Sequence, residues 1–451
     1  MTALLLSTYD LGRQPFGLAS PAAWLRQAGF DVVCIDLTRT PLDEGAVRDA
    51  GLIAFFLPMH TATRLALPVI DRVKSLNPSA RLCAYGLYAP LNARVLRERG
   101  IQTILGPEFE ADLVALARST QDRGFRLQAE PPLKAEAPQI PRLAFIAPDR
   151  RDLPPLARYA SLQIGDARRT VGYTEASRGC KHRCRHCPIV PIYDGRFRIV
   201  PVDVVLADIA AQVEAGAEHI TFGDPDFFNG PRHGMAIVEG FHRDHPAVSY
   251  DVTIKVEHLR RHRGLLPRLR ETGCAFVTTA VESFDDSVLQ KLDKGHRLAD
   301  FEGVVDDFGR IGLALSPTFV AFTPWTTIDS YREMLETIAR LGLVGAVAPI
   351  QYAIRLLVPD GSRMLELVDV RARIVRFDAG SLTHVWRHED PRVDTLQQEL
   401  ERRAGARLNQ PRKELFLAAW KLAVEAAGMS LPPPPLPARA TVPYLNEPWY
   451  C

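Results

Sequence analysis

Cys180, Cys184 and Cys187 stand in the stretch SRGCKHRCRHCPIV with the spacing C-x3-C-x2-C, among arginine, lysine and histidine. Three thiolates on one short loop can wrap a cubane and leave its fourth iron without a protein ligand, an open position where chemistry can occur. The neighbours Arg178, Lys181, Arg183 and Arg185 would favour thiolates and offset a negatively charged cluster. Structural zinc is the competing use, with His182 or His186 completing a Cys3His set. Such zinc sites usually draw ligands from two separated pairs, and no second Cys or His pair at knuckle spacing follows here. A cluster used only to carry electrons is the third option. The chain has seven cysteines in 451 residues; an odd, sparse set argues against a disulfide framework. Cys34, Cys83 and Cys274 lie in apolar strand-like runs, where a small buried thiol is the default.

The elements around this loop follow from composition and pattern. Hydrophobic content of 47% and charged content of 24% match a soluble globular chain, and its length calls for two or three domains. The longest apolar runs, such as GLIAFFLPM from Gly51, are far short of a bilayer span. MTALLLSTYDLGRQ lacks the basic flank and apolar length of a secretory signal, so a cytoplasmic protein is expected, with no membrane partner. A net charge of +2 gives no field for polyanions, and no nucleic-acid partner is implied.

Short apolar runs alternate with helical segments over residues 1–118, the pattern of a parallel sheet covered on both faces. Residues 119–170 are proline-rich and read as an extended linker. The alternation resumes over 171–375, with strands expected near Val171–Ser177, His219–Gly223, Val248–Lys255, Ala275–Val281, Leu313–Ala321 and Val347–Leu356. Val205, Ile209 and Val213 recur every fourth residue on one helix that Asp203 is placed to cap. Residues 376–451 form a helical extension ending in PPPPLP, from Pro432 to Pro437, and a Cys-ending tail. The fold class expected is α/β: a Rossmann-like parallel-sheet domain, a partial (β/α)6 TIM-like barrel, and a helical C-terminal extension. Active sites on such barrels gather at the C-terminal strand ends, and the three cysteines follow the first strand.

C-x3-C-x2-C after the first strand of a strand–helix repeat resembles the radical S-adenosylmethionine (SAM) superfamily. The resemblance implies that Cys180, Cys184 and Cys187 hold a [4Fe–4S] cluster whose open iron is chelated by the amino and carboxylate groups of SAM. It implies reductive cleavage of SAM to a 5′-deoxyadenosyl radical that abstracts hydrogen from an unknown substrate, with an electron donor such as ferredoxin or flavodoxin. His186 stands where the family usually has an aromatic residue. HITFGDPDFFNG is similar to the family's contact with the SAM amino group, with Gly223, Asp224 and Asp226 in place of a Gly-Gly-Glu pattern. TTAVESFDD would bring Glu282 and Ser283 toward the ribose or the methionyl end, and Lys255 could pair with the SAM carboxylate. Thr318, Thr323, Gln351 and Arg355 are further candidates for lining the pocket.

The N-terminal segments LPMHTATRLALPVIDRVKSLNPSARLCAYGLYAP and ILGPEFEADLVALA resemble the cobalamin-binding domain found before many radical SAM barrels, with Gly106-Pro107-Glu108 near its usual Gly-Glu turn. No Asp-x-His-x-x-Gly occurs, so the histidine that often ligates cobalt has no counterpart, and His60 lies in another setting. Cobalamin is therefore a possible but doubtful cofactor, and methyl transfer through it is the alternative activity. RLLVPDGS and PYLNEPWYC together look like the CUAEP/CCAEP-tail radical SAM group, whose members end in a selenocysteine- or cysteine-containing Ala-Glu-Pro tail. That likeness raises the expectation that a selenocysteine codon after Cys451 is read as a stop, and that the tail carries a redox pair on its proline arm.

Overall fold

The structure, a computed structural model, describes residues 1–122, 140–406, 411–436 and 442–445. Strand β1 (Thr2–Ser7) shows why its sequence is apolar almost throughout: Leu4 and Leu6 enter the core on one face, Ala3 and Leu5 on the other. A strand buried on both faces needs both sets. β2 (Asp31–Asp36), β3 (Leu52–Phe56), β4 (Arg81–Tyr85) and β5 (Thr103–Ile104) join it in the order β2-β1-β3-β4-β5, all parallel. This is the Rossmann-like domain expected. The order reverses at β1 and β3, where ligands of such sheets usually sit.

The second sheet begins with the hairpin of β6 (Ser161–Ile164) and β7 (Ala167–Thr174), so it starts inside the segment read as a linker. β8 (Ser177–Gly179) and β9 (Phe197–Ile199) form a small ribbon that frames the cysteine loop. β10 (His219–Phe222), β11 (Ser249–Thr253), β12 (Cys274–Glu282) and β13 (Ala314–Phe319) extend β7 in parallel. β14 (Ile374–Asp378) and β15 (Thr383–Trp386) make a separate antiparallel ribbon, and β16 (Tyr444–Leu445) closes the far edge on β6. Helices Val202–Glu214, Pro231–Asp244, Leu298–Ile311 and Ile328–Arg340 bury their apolar faces against the sheet.

Two local expectations are corrected. Asp203 lies in the first turn of its helix, and Pro201 is the capping position, with no side-chain cap. The sixth strand near Val347–Leu356 is a 3-10 turn at Pro349–Tyr352 and a single parallel bridge from Phe322 to Arg355. Pro349 has no amide to give a ladder. The Gln351 side chain instead accepts the Phe319 amide at 2.7 Å, taking the place of a strand backbone. Arg355 ties the barrel to the C-terminal extension, donating to Asp394 at 2.7 Å and to the Trp386 carbonyl at 2.8 Å.

Two arginines, Arg178 buried and Arg150 half-buried, hold the domains together. Arg150 donates to Asp208 and to the Tyr173 carbonyl of the barrel, and to Gln14 of the N-terminal domain. Arg178 reaches Glu110 and Glu108 of the N-terminal domain and Glu175 beside the barrel's first strand. Among the described residues no helix is long and apolar enough to cross a membrane. Cys451 and the end of the proline arm lie outside the described residues.

Candidate active site

The cysteine loop starts at Gly179, whose φ of +77° is left-handed and whose added Cβ would meet the Tyr193 ring at 2.3 Å. Only glycine suits both conditions. Asn229, from the end of β10, pins the loop by donating to the Gly179 carbonyl and accepting the Lys181 amide, each at 3.2 Å. On the other side the Arg185 amide donates to the Leu292 carbonyl at 2.8 Å, and Cys187 closes a turn onto Cys184 at 3.1 Å. Every described cysteine is a free thiol, Cys184 buried, Cys180 and Cys187 half-buried. Burial pushes Cys180 up to about 11 and Cys187 up to about 12, so a bound cation is what would make them thiolates.

The cations that face these thiols differ from those expected. Arg178 is committed to glutamates, Arg183 to Asp194, and Arg185 to the Lys291 carbonyl. The positive field on Cys180 comes from Lys255, just after β11, and that on Cys187 from Lys294, just after the short helix Asp286–Lys291 that follows β12. Lys294 was not anticipated from the sequence.

The other anticipated residues divide into two groups. Around Cys180, Asp226 and Lys255 meet at His182: the His182 Nε2 lies 3.4 Å from Asp226 Oδ2, and Lys255 Nζ lies 3.2 Å from His182 Nδ1. His258, fully buried on the helix that Lys255 begins, completes this cluster with Nδ1 2.7 Å from Asp226 Oδ2. Around Cys187, Glu282 accepts from Lys294 at 3.2 Å and pairs with His186 at 3.1 Å. Glu282 has φ of +69° and a register shift beside it, so β12 turns its last carboxylate out of the strand pleat and across the loop.

Four candidates are engaged elsewhere. Asp224 accepts from the Ala176 amide at 2.9 Å and from Ser177 Oγ at 2.5 Å, and burial pushes its carboxyl up to about 7. Gly223 is where an added Cβ would fall 1.7 Å from the Tyr173 hydroxyl, a packing requirement. Ser283 accepts the Asp285 amide at 3.0 Å, and Thr323 pairs with Thr326.

Burial alone would raise Glu282; Lys294 and His186 overcome it and hold the carboxyl at about 2, against an ordinary 4.5. A carboxyl lowered on folding contributes stability that is present above its unfolded value and lost as pH falls toward its folded one. Glu282→Gln should therefore lower the unfolding free energy at neutral pH by about 3 kcal/mol. The deficit should shrink as pH falls from 4.5 toward 2. Urea titrations across that window check this; a deficit that stays constant would mean that packing, not charge, holds Glu282.

A curled sheet of parallel strands with C-x3-C-x2-C at its C-terminal mouth defines a class. Residues 174–341 match the radical SAM superfamily. That segment carries the likeness to the superfamily, whose members use a [4Fe–4S] cluster and SAM. Hopanoid C-3 methylase from Methylococcus capsulatus is 24% identical over 346 residues, covering 74% of this chain and 65% of that protein. The chain thus spans less than two thirds of this relative's length. The fold is similar to that of OxsB, a cobalamin-dependent SAM radical enzyme solved with aqua-cobalamin and SAM, with a TM-score of 0.70 at 13% identity, covering 94% of this chain and 71% of that one. It is also similar to TsrM, a radical SAM methyltransferase from Kitasatospora setae solved with cobalamin and a [4Fe–4S] cluster, with a TM-score of 0.60 at 15% identity, covering 75% and 70%.

Proposed function

We propose that Cys180, Cys184 and Cys187 hold a [4Fe–4S] cluster and that the enzyme reductively cleaves SAM to abstract hydrogen from a substrate. The observation that carries this reading is the donor set itself: three free thiols on one pinned loop, with Lys255 and Lys294 in reach to balance a cluster's negative charge. When bound, the cluster supplies the electron that breaks a sulfonium carbon–sulfur bond. The protein's own part is to bind and orient. Lys255 offers an ammonium to the SAM carboxylate, while Glu282, kept ionised by Lys294, offers an acceptor on the opposite side. The electron comes from a small reductant of the ferredoxin or flavodoxin class.

Cobalamin does not fit the residues present. The cleft at the C-terminal ends of β1 and β3 has about 250 Å³ of internal space, below the usual range even for drug-sized ligands. The Phe56 ring and the Leu57 carbonyl occupy the gaps left by Gly17 and Gly86. His60 is engaged, its Nε2 2.6 Å from the Ser381 carbonyl. No step is derived through cobalt, and we take the N-terminal domain as a scaffold for the loop. Anaerobically reconstituted protein should show broad iron–sulfur absorption, form 5′-deoxyadenosine from SAM with dithionite, and contain no cobalt when made with cobalamin supplied. A colourless zinc protein would overturn the proposal, and stoichiometric cobalt would replace it with methyl transfer.

A further inference from the structure

We infer that Asp226, His258 and His182 form a directional chain of hydrogen bonds that fixes the ammonium of Lys255 as a carboxylate anchor beside Cys180. The inference rests on the SAM chemistry proposed above and assigns positioning roles to two histidines outside the cysteine set.

The chain starts at Asp226, which is 1% exposed. Burial would raise its carboxyl, yet His182 and His258 hold it below the ordinary range. One oxygen accepts the Phe228 amide at 3.1 Å, leaving Oδ2 to a second donor. His258 Nδ1 lies 2.7 Å from it, the shorter of its two histidine contacts, and a ring nitrogen that close to an ionised oxygen carries the proton. A neutral imidazole with its proton on Nδ1 has only a lone pair on Nε2. His182 Nε2 lies 3.2 Å from that lone pair and must therefore donate. His182 Nδ1 is then a lone pair in turn, and the Lys255 ammonium, 3.2 Å away, is its donor. Glu257 Oε2 takes a second ammonium proton at 3.3 Å, and one remains for a ligand. Each tautomer is dictated by the one before it, so the orientation of Lys255 is set from a buried carboxylate three residues away in space.

The same atoms could suggest a divalent metal site, since His182, Asp226 and His258 lie within 4.8 Å of one another. The surroundings disfavour it. A metal on His182 Nε2 with Lys255 donating to Nδ1 would need both nitrogens unprotonated, and the ammonium would repel the ion.

Two measurements test the chain. In full-length protein prepared without iron and labelled with 15N-histidine, long-range 1H–15N correlation should place the proton on Nδ1 of His258 and on Nε2 of His182. In iron-loaded protein, equilibrium dialysis should show that His258→Leu weakens SAM binding by about tenfold or more with iron content unchanged. That loss should vanish in a Lys255→Met background, because the histidine acts only through the lysine. The inference is overturned by the opposite tautomers, by a His258→Leu effect that persists without Lys255, or by one equivalent of zinc alone shifting both imidazoles. Wild-type protein that takes up no iron would sink the proposed function and leave the tautomer result to decide the chain.

Discussion

Protein carrying Cys184→Ser, purified and reconstituted without oxygen, should hold no stable cubane and should cleave SAM at least about 10³-fold more slowly than wild type. Cys184 is the most enclosed of the three thiols, at 7% exposure, and its loop is pinned on both sides by Asn229 and the Leu292 carbonyl. The loop cannot slide to bring another side chain into the vacancy. Serine keeps the volume but gives a hydroxyl far less acidic than a thiol, so the ligand is lost with little change in packing. The three ligands act as a unit, and removing one should cost almost as much as removing all. Cys34→Ala is the control. Cys34 is buried in the N-terminal sheet, 3.9 Å from the Leu18 carbonyl, and its loss should leave about four irons per chain. Iron retained in Cys184→Ser, or iron lost in Cys34→Ala, would remove the cysteine loop from the centre of the chemistry.

What was legible in the sequence was what periodicity and spacing encode. The apolar runs of β1 and β3 announce a doubly covered sheet, and the cysteine spacing already puts three thiols on one loop after the first barrel strand. The failures have local physical causes. The prolines of 131–155 give the stretch before the barrel a linker's character, while Gly165-Asp166, a glycine-led pair between strand-like runs, is the hairpin signal that β6 and β7 answer to. The sixth strand was expected from its apolar residues, and only the structure reveals that the Gln351 amide substitutes for a ladder. At the site, Asp226, Lys255 and Glu282 were named, but their partners were not. His258 and Lys294 are remote in sequence from the cysteines and reach them only because β11 and β12 end side by side. A faint signal existed for His258, which lies three residues after Lys255 and so one helical turn along. The cationic run around the cysteines misled for the opposite reason: adjacency in sequence placed Arg178 near Cys180 but not facing it.

That arginine carries the second large effect. Arg178→Met should destabilise the protein by about 3–5 kcal/mol, because removing one partner of a buried ionic cluster leaves uncompensated charge. Arg178 is 7% exposed and meets Glu110 at 2.7 Å, Glu175 at 2.7 Å and Glu108 at 3.5 Å, with its guanidinium also over Phe16, Phe109 and Phe145. Methionine can replace the packing of the stem on those rings but none of the charge. Ser20 and Tyr193 still donate to Glu110 and Glu108, so the acids would not be wholly bare. The sign of the pH dependence follows from burial, which holds Glu108 and Glu175 above the ordinary 4.5. Carboxyls raised on folding bind protons more readily in the folded state, so the stability they cost increases as pH rises through their folded values. In wild type Arg178 opposes that cost; in the variant only the hydroxyls of Ser20 and Tyr193 do. The deficit should be smallest at or below the ordinary 4.5 and grow as pH rises toward neutral. Adding Glu110→Gln to Arg178→Met should recover part of it. Denaturant titrations of the single and double variants across that range decide the matter, and a deficit that ignores both pH and the second substitution would mean that the aromatic cage, rather than the charge, joins the two domains behind Cys180.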